Sequence, residues 1–293
     1  MPVSDAGKAV LHKCLLGKGD ARAIAVEATG LVELLRQIHN LSFVATAALG
    51  RLVMASMMMA AQEKVERARV TLKIEGDGPL GEIVADAEKA GSVRGYVSKP
   101  WVELSLSEEG KWDVSAGVGK KGYLTVIKDV GLKEPVVSRV PLISGEIAED
   151  IAYYYVKSEQ MPTAVMLGVL QRPSLGVISA GGVMVQLMPG ADEAFAEMLE
   201  ELLKKHGSVS RLAESSQSPR EILETIFDGV DKKWLDSLTF EFGCRCSRKL
   251  AEALLLSTSE GEEANDVIEV RCHFCNTVYS FSRDEIKKLK GGE

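Results

Sequence analysis

Four of the five cysteines fall in the last fifth of the 293-residue chain. Cys244-Arg-Cys246 and Cys272-His-Phe-Cys275 make a C-x-C pair and a C-x-x-C pair, with 25 residues between them. Two short thiolate pairs on a foldable spacer can set four sulfurs about 2.3 Å from one Zn²⁺ in a tetrahedron. The flanks agree. Gly243 loosens the backbone ahead of the first pair, Ser247 can cap a helix over 248–256, and 267–270 and 277–281 read as strands around the second pair. A unit this small has little core of its own, and a bound metal is a usual remedy. The spacing argues against four unrelated buried cysteines. A secreted disulfide framework would call for a signal peptide, and Met1–Lys8 show no basic segment leading into an apolar one.

Arg245, Arg248, Lys249, Arg271 and His273 lie beside the thiols in sequence, and nearby cations favour the reactive thiolate. On residues alone an inert structural knuckle and a redox switch both stand. Four cysteines would leave no open coordination position for a hydrolytic zinc enzyme. Cys14 sits in an apolar strand and reads as core packing.

Other motifs carry less. Gly76-Asp-Gly-Pro-Leu-Gly81 and Gly117-Val-Gly-Lys-Lys-Gly122 both match G-x-G-x-x-G, yet neither opens a helix and Asp77 would face any phosphate. Both read as turns. There is no P-loop, and the four histidines are scattered. Met54, Met57, Met58 and Met59 recur at helical spacing among alanines and read as core.

The composition bounds what these residues can serve. Hydrophobic residues at 46% and charged residues at 26% are ordinary for a globular chain. Acids exceed bases by 42 to 35, a net charge of −7, which argues against a general phosphate-backbone binder. A zinc-ribbon nucleic-acid-binding protein is the alternative that this charge disfavours. Leu41–Ala61 is apolar enough to suggest a membrane span, but Arg51 at its midpoint is costly in lipid and points to a buried core helix. A cytoplasmic protein without a membrane segment is expected.

The elements that position the cysteines follow from the pattern upstream. Residues 9–16 and 22–27 read as strands around the turn Gly17–Asp20, and a helix begins at Thr29 as cap with an apolar stripe of Leu31, Leu34, Leu35 and Ile38. Strands are expected at 70–74, 93–97, 123–127 and 135–140, a helix over 145–160, and further strands at 164–170, 176–180 and 183–187. Residues 190–237 are charged and helical, with Ser218-Pro219 starting a helix. The fold class is α+β: a largely antiparallel-sheet core with packed helices over 1–189, a helical connector over 190–237, and a small zinc-binding α+β domain over 238–293.

Taken together these segments resemble one family nearly end to end. Gly76–Gly81, Val93-Arg-Gly-Tyr-Val97, Gly145-Glu-Ile-Ala-Glu-Asp150, Tyr153-Tyr-Tyr155 with Ser158-Glu-Gln160, Gln186-Leu-Met-Pro-Gly190 and the two cysteine pairs are similar to the redox-regulated 33-kilodalton chaperonin family. The resemblance implies a bacterial heat-shock holdase rather than an enzyme. It implies one Zn²⁺ on Cys244, Cys246, Cys272 and Cys275 in the reduced form. On oxidation it implies disulfides Cys244–Cys246 and Cys272–Cys275, zinc release, and unfolding of the switch domain and connector. It also implies ATP-independent binding of unfolding client proteins by an activated homodimer, with no nucleic acid or membrane as partner.

Overall fold

The computed structural model describes residues 7–104, 112–257 and 267–291. They form two compact units, Met1–Phe242 and Gly243–Glu293. The first is α+β, as its patterning predicts. Strands β1 (Lys8–Leu16) and β2 (Ala21–Glu27) lead into helices α1 (Thr29–His39) and α2 (Phe43–Ala60). Next come β3 (Arg69–Gly76), β4 (Glu82–Glu88), β5 (Ser92–Val97), α3 (Val114–Val118), β6 (Gly122–Asp129) and β7 (Val136–Pro141). Helix α4 (Ala148–Tyr154) runs into a wide π turn, Tyr155–Glu159, before β8 (Thr163–Arg172) and β9 (Gly176–Leu187). The connector supplies α5 (Glu193–His206), α6 (Val209–Ser215) and α7 (Pro219–Ile226), and then β10 (Lys232–Trp234) and β11 (Leu238–Phe242).

The strands form one sheet in the order β7-β6-β3-β4-β5-β11-β1-β2-β9-β8, with β10 pairing on β1. Every pairing is antiparallel except a short parallel contact, in which Glu241 and Phe242 of β11 lie opposite Ser92 and Val93 of β5. That contact joins the two halves of the sheet. Helix α2 packs against β3, β4 and β5 from one half and against β2, β8 and β9 from the other. A helix apolar on all sides must be buried on all sides, and sixteen of its 18 residues are, the four methionines among them. Among the described residues it is the one helix long and apolar enough to cross a membrane, yet 89% of it is inside the fold. Arg51 meets Glu146 at 2.6 Å instead of facing lipid. Ser42 caps the helix, accepting the Ala45 N–H.

The two glycine motifs are halves of one structural device. The Gly78 N–H donates to Val118 O at 2.9 Å, Leu80 N–H to Gly117 O at 3.0 Å, and Lys121 N–H to the Asp77 carboxylate at 3.0 Å. A Cβ on Gly78 would stand 2.3 Å from Gly117 O, so glycine is required for the backbones to approach. Asp77 thus orders a loop.

Several expectations need correction. Residues 176–180 and 183–187 are one strand, β9, running unbroken through Gly181-Gly182. That glycine pair marks close packing and not a turn: a Cβ on Gly181 would lie 2.7 Å from the Cβ of Ala213 on α6. Thr29 is the first residue of α1 and not its cap; its hydroxyl accepts the Ala180 N–H at 3.0 Å. The buried stripe of α1 is Leu31, Val32 and Leu35, with Leu34 and Ile38 only half-buried. The helix expected over 145–160 starts at Ala148 and widens after Tyr154. Residues 238–242 lie in the large sheet as β11, paired with β1, because Leu238 and Phe240 pack into its core. The second compact unit therefore begins at Gly243, not at 238.

The connector lies on the first unit. Leu199, Leu203, Val209, Ala213, Ile222, Leu223, Ile226 and Phe227 form a second hydrophobic cluster with Cys14, Leu16, Ala21, Ala23, Ala25, Val183 and Val185. The opposite face of the same strands, with Leu11, Ile24, Val26 and Met184, belongs to the main core around α2. Period-two alternation along β1, β2 and β9 builds both surfaces. Ser218 caps α7 and Pro219 occupies its first turn, as Ser218-Pro219 predicts.

Candidate metal centre

The second unit is a helix, a hairpin and a helix: α8 (Arg248–Ser257), β12 (Val267–Arg271) paired with β13 (Val278–Ser282), and α9 (Arg283–Gly291). The expected helix and both strands are present; α9 is additional. Ser247 caps α8, its hydroxyl accepting the Leu250 N–H at 3.2 Å. The hydrophobic cluster has three buried residues, Ala251, Leu255 and Phe281, with Ile268, Val270, Tyr279, Ile286 and Leu289 half-buried around them. So little apolar surface cannot offset the chain entropy of ordering the unit, and a further cross-link is required.

The cysteines are placed to supply one. Cys244 and Cys246 precede α8, while Cys272 and Cys275 occupy the tight turn between β12 and β13. Backbone bonds shape that turn: Cys272 N–H to Thr277 O, and Asn276 N–H to Cys272 O, both 2.9 Å, with Asn276 at φ +57°. The four Sγ atoms lie within 4.8 Å of one another. Cys244 and Cys272 are 3.6 Å apart, and Cys246 and Cys275 3.4 Å, so each sulfur of the C-x-C pair faces one of the C-x-x-C pair. Sulfurs about 2.3 Å from a central ion in a tetrahedron are about 3.8 Å apart. The donor set thus fits a soft divalent metal, and the four cysteines could hold one.

Electrostatics points the same way. Partial burial pushes the thiols of Cys244 and Cys272 up. At Cys275 burial is outweighed by hydrogen bonds from the Thr277 hydroxyl and N–H, and that thiol comes down to about 7. The Cys246 thiol is raised as well; were all four ionised, the adjacent thiolates would need a compensating cation, which a bound metal would provide. Of the basic residues named from the sequence, Arg248 has another role. Arg248 donates to Ser280 O at 3.2 Å and to Glu285 at 2.8 Å, and it lies over the Phe281 ring at 4.5 Å. It ties α8 to the hairpin and to α9 instead of serving the thiols.

Two side chains at the sulfurs escaped sequence reasoning. The Tyr279 hydroxyl lies 3.2 Å from Cys246 Sγ, and the Thr277 hydroxyl 3.1 Å from Cys275 Sγ. Both stood in the expected strand 277–281, where alternation gave the one usable signal. Cys14 is apart from this chemistry: it is fully buried in β1, and burial pushes its thiol up to about 11. A neutral buried thiol is inert.

The comparisons with known proteins are consistent along the whole chain. A family model described as Hsp33 protein matches residues 10–282. A protein named 33 kDa chaperonin from Halalkalibacterium halodurans is 42% identical over 284 residues, 95% of this chain and 97% of its own length. One of the same name from Clostridium beijerinckii is 44% identical over 278 residues, 92% of this chain and 94% of its own. The crystal structure of a 33 kDa chaperonin, a heat shock protein 33 homolog from Thermotoga maritima, superposes with a TM-score of 0.88 at 38% identity, covering 96% of this chain and 97% of that one. With a family model spanning most of its length and relatives this similar end to end, the chain belongs to the Hsp33 family.

Proposed function

We propose that this protein is a redox-regulated holdase: a chaperone that binds unfolding proteins and prevents their aggregation without ATP once its four clustered cysteines are oxidised. The observation that carries this reading is the quartet itself, four Sγ atoms within 4.8 Å in a unit whose described residues include three that are buried in its hydrophobic cluster. In the reduced protein Cys244, Cys246, Cys272 and Cys275 hold one Zn²⁺. The metal supplies a structural cross-link, worth about 10–16 kcal/mol of apparent folding free energy in small zinc peptides.

Oxidation removes the ligands. In each pair, Cys244–Cys246 and Cys272–Cys275, two thiolates give two electrons to one peroxide. The O–O bond breaks, two protons are taken up, one S–S bond forms and two waters leave. Disulfide sulfurs no longer bind the metal as thiolates, and the small unit loses what ordered it. Unfolding that travels back from Gly243 meets β11, the short β10 and then the connector helices. Their detachment uncovers Ala21, Ala23, Ala25, Val183 and Val185, an apolar sheet face suited to extended, unfolded clients. The active form is a homodimer and acts in the cytoplasm, where thiols are held reduced until stress. It has no catalytic turnover, and neither nucleic acid nor membrane is a partner.

Metal content and free thiols, measured before and after peroxide, test the proposal. We expect one zinc and five free thiols per reduced chain, and no zinc with one free thiol, Cys14, after oxidation. Zinc retained with four thiols lost, or client protection that requires ATP, contradicts it.

A further inference from the structure

Tyr279 links the two halves of the cysteine site. It lies on β13 opposite Val270 of β12, and its ring packs against the Phe281 cluster, so the hairpin fixes its position. Its hydroxyl, 3.2 Å from Cys246 Sγ, reaches from the C-x-x-C hairpin to a sulfur of the C-x-C pair. The Thr277 hydroxyl differs, because it serves Cys275 two residues away within its own turn. Only a folded site brings Tyr279 and Cys246 together, 33 residues apart in sequence.

We propose that Tyr279 is a positioning residue of the metal centre: its O–H donates to the Cys246 thiolate, holds that ligand in place and sets how readily the pair Cys244–Cys246 is oxidised. The inference rests on the zinc-switch reading above. A thiolate attacks peroxide through a sulfur lone pair, and a hydrogen bond to the sulfur draws on the same electron density, lowering its nucleophilicity. The bond is strong to a charged sulfur and weak to a disulfide sulfur, so it favours the reduced, metal-bound side. Outer-shell donors of this kind change metal affinity by about 10–100-fold. Hydrogen bonds to metal-bound sulfurs also tune reduction potential in other thiolate centres.

The test is Tyr279→Phe in the full-length chain, which keeps the ring and removes the donor. Zinc affinity, read by competition with a chromophoric chelator, should fall by about tenfold or more. At saturating zinc, thiol loss to peroxide should speed up several-fold. In the cobalt-loaded protein the sulfur-to-metal charge-transfer band should move to lower energy, a shift that packing alone does not produce. A second protein with Tyr279 replaced by a monofluorinated tyrosine, a stronger donor of the same shape, should oxidise more slowly. Unchanged affinity and oxidation rate in Y279F, or oxidation no slower with the fluorinated residue, overturns the proposal. If the wild type itself binds no zinc, or keeps it through oxidation, it is the zinc-switch reading that fails.

Discussion

Helices α2 and α5 are both long and both lie in the first unit, yet α2 buries sixteen of its 18 residues and α5 only two of 14, Leu199 and Leu203. The difference does not come from helix propensity, since both helices are rich in Ala, Leu and Met. It comes from the surface each covers. Removing α2 would expose both halves of the sheet and the largest apolar cluster in the chain. Removing α5 with its neighbours exposes a face of alanines and valines and frees helices that carry charged outer surfaces. Stability within one unit is therefore uneven, and the connector belongs to the low-stability end from which moving elements are drawn. The cysteine unit is weaker still, with only three buried residues among those described.

Substitutions in the three regions should sharpen this ranking. The largest effect is expected from Cys272→Ser, which leaves three sulfurs where the proposed metal would contribute about 10–16 kcal/mol of folding free energy. The small unit should lose its dispersed amide signals while the melting of the first-unit core stays within a few degrees. A folded small unit in this variant would break the ranking at its weakest point. Phe227→Ala removes a fully buried connector anchor, at about 3–5 kcal/mol for a buried phenylalanine. That loss should show as increased hydrogen exchange confined to the connector, with chaperone activity raised in the reduced protein. Leu52→Ala in α2 should cost about 2–5 kcal/mol and lower the global unfolding midpoint, with no selective opening of the connector. Equal patterns from Phe227→Ala and Leu52→Ala would mean that the first unit opens as a whole. The smallest change is Ser218→Ala, which removes the cap on α7 and should cost about 1 kcal/mol, read as a modest rise in connector exchange.

How much of this was legible beforehand varied with what each residue had to touch. The C-x-C and C-x-x-C spacing predicts the quartet because the ligands of each pair are local and only one long closure remains. Arg51 marked α2 as a core helix because a charge in the middle of an apolar run needs a partner, here Glu146. The start of α7 at Ser218-Pro219 is legible because it is set by a few neighbouring residues, whereas Thr29 fell one residue inside α1 instead of capping it. The expected strands 176–180 and 183–187 are one because the chain stays extended through Gly181-Gly182, and only the tertiary position of Ala213 shows why glycine is needed there. A boundary at 238 places residues 238–242 in the small unit, because a short segment does not name the strand it pairs with. Tyr279 was unreadable as a sulfur partner because its contact spans 33 residues.

On the proposed mechanism, loss of the metal site disorders the C-terminal third and spares the core. Hydrogen exchange on the reduced, zinc-loaded protein and on the peroxide-oxidised, zinc-free protein tests it directly. Oxidation should remove protection in α5, α6, α7 and the small unit, while β3–β6 and α2 keep theirs. Full chaperone activity with connector protection unchanged would contradict it and would place the client surface elsewhere on the core.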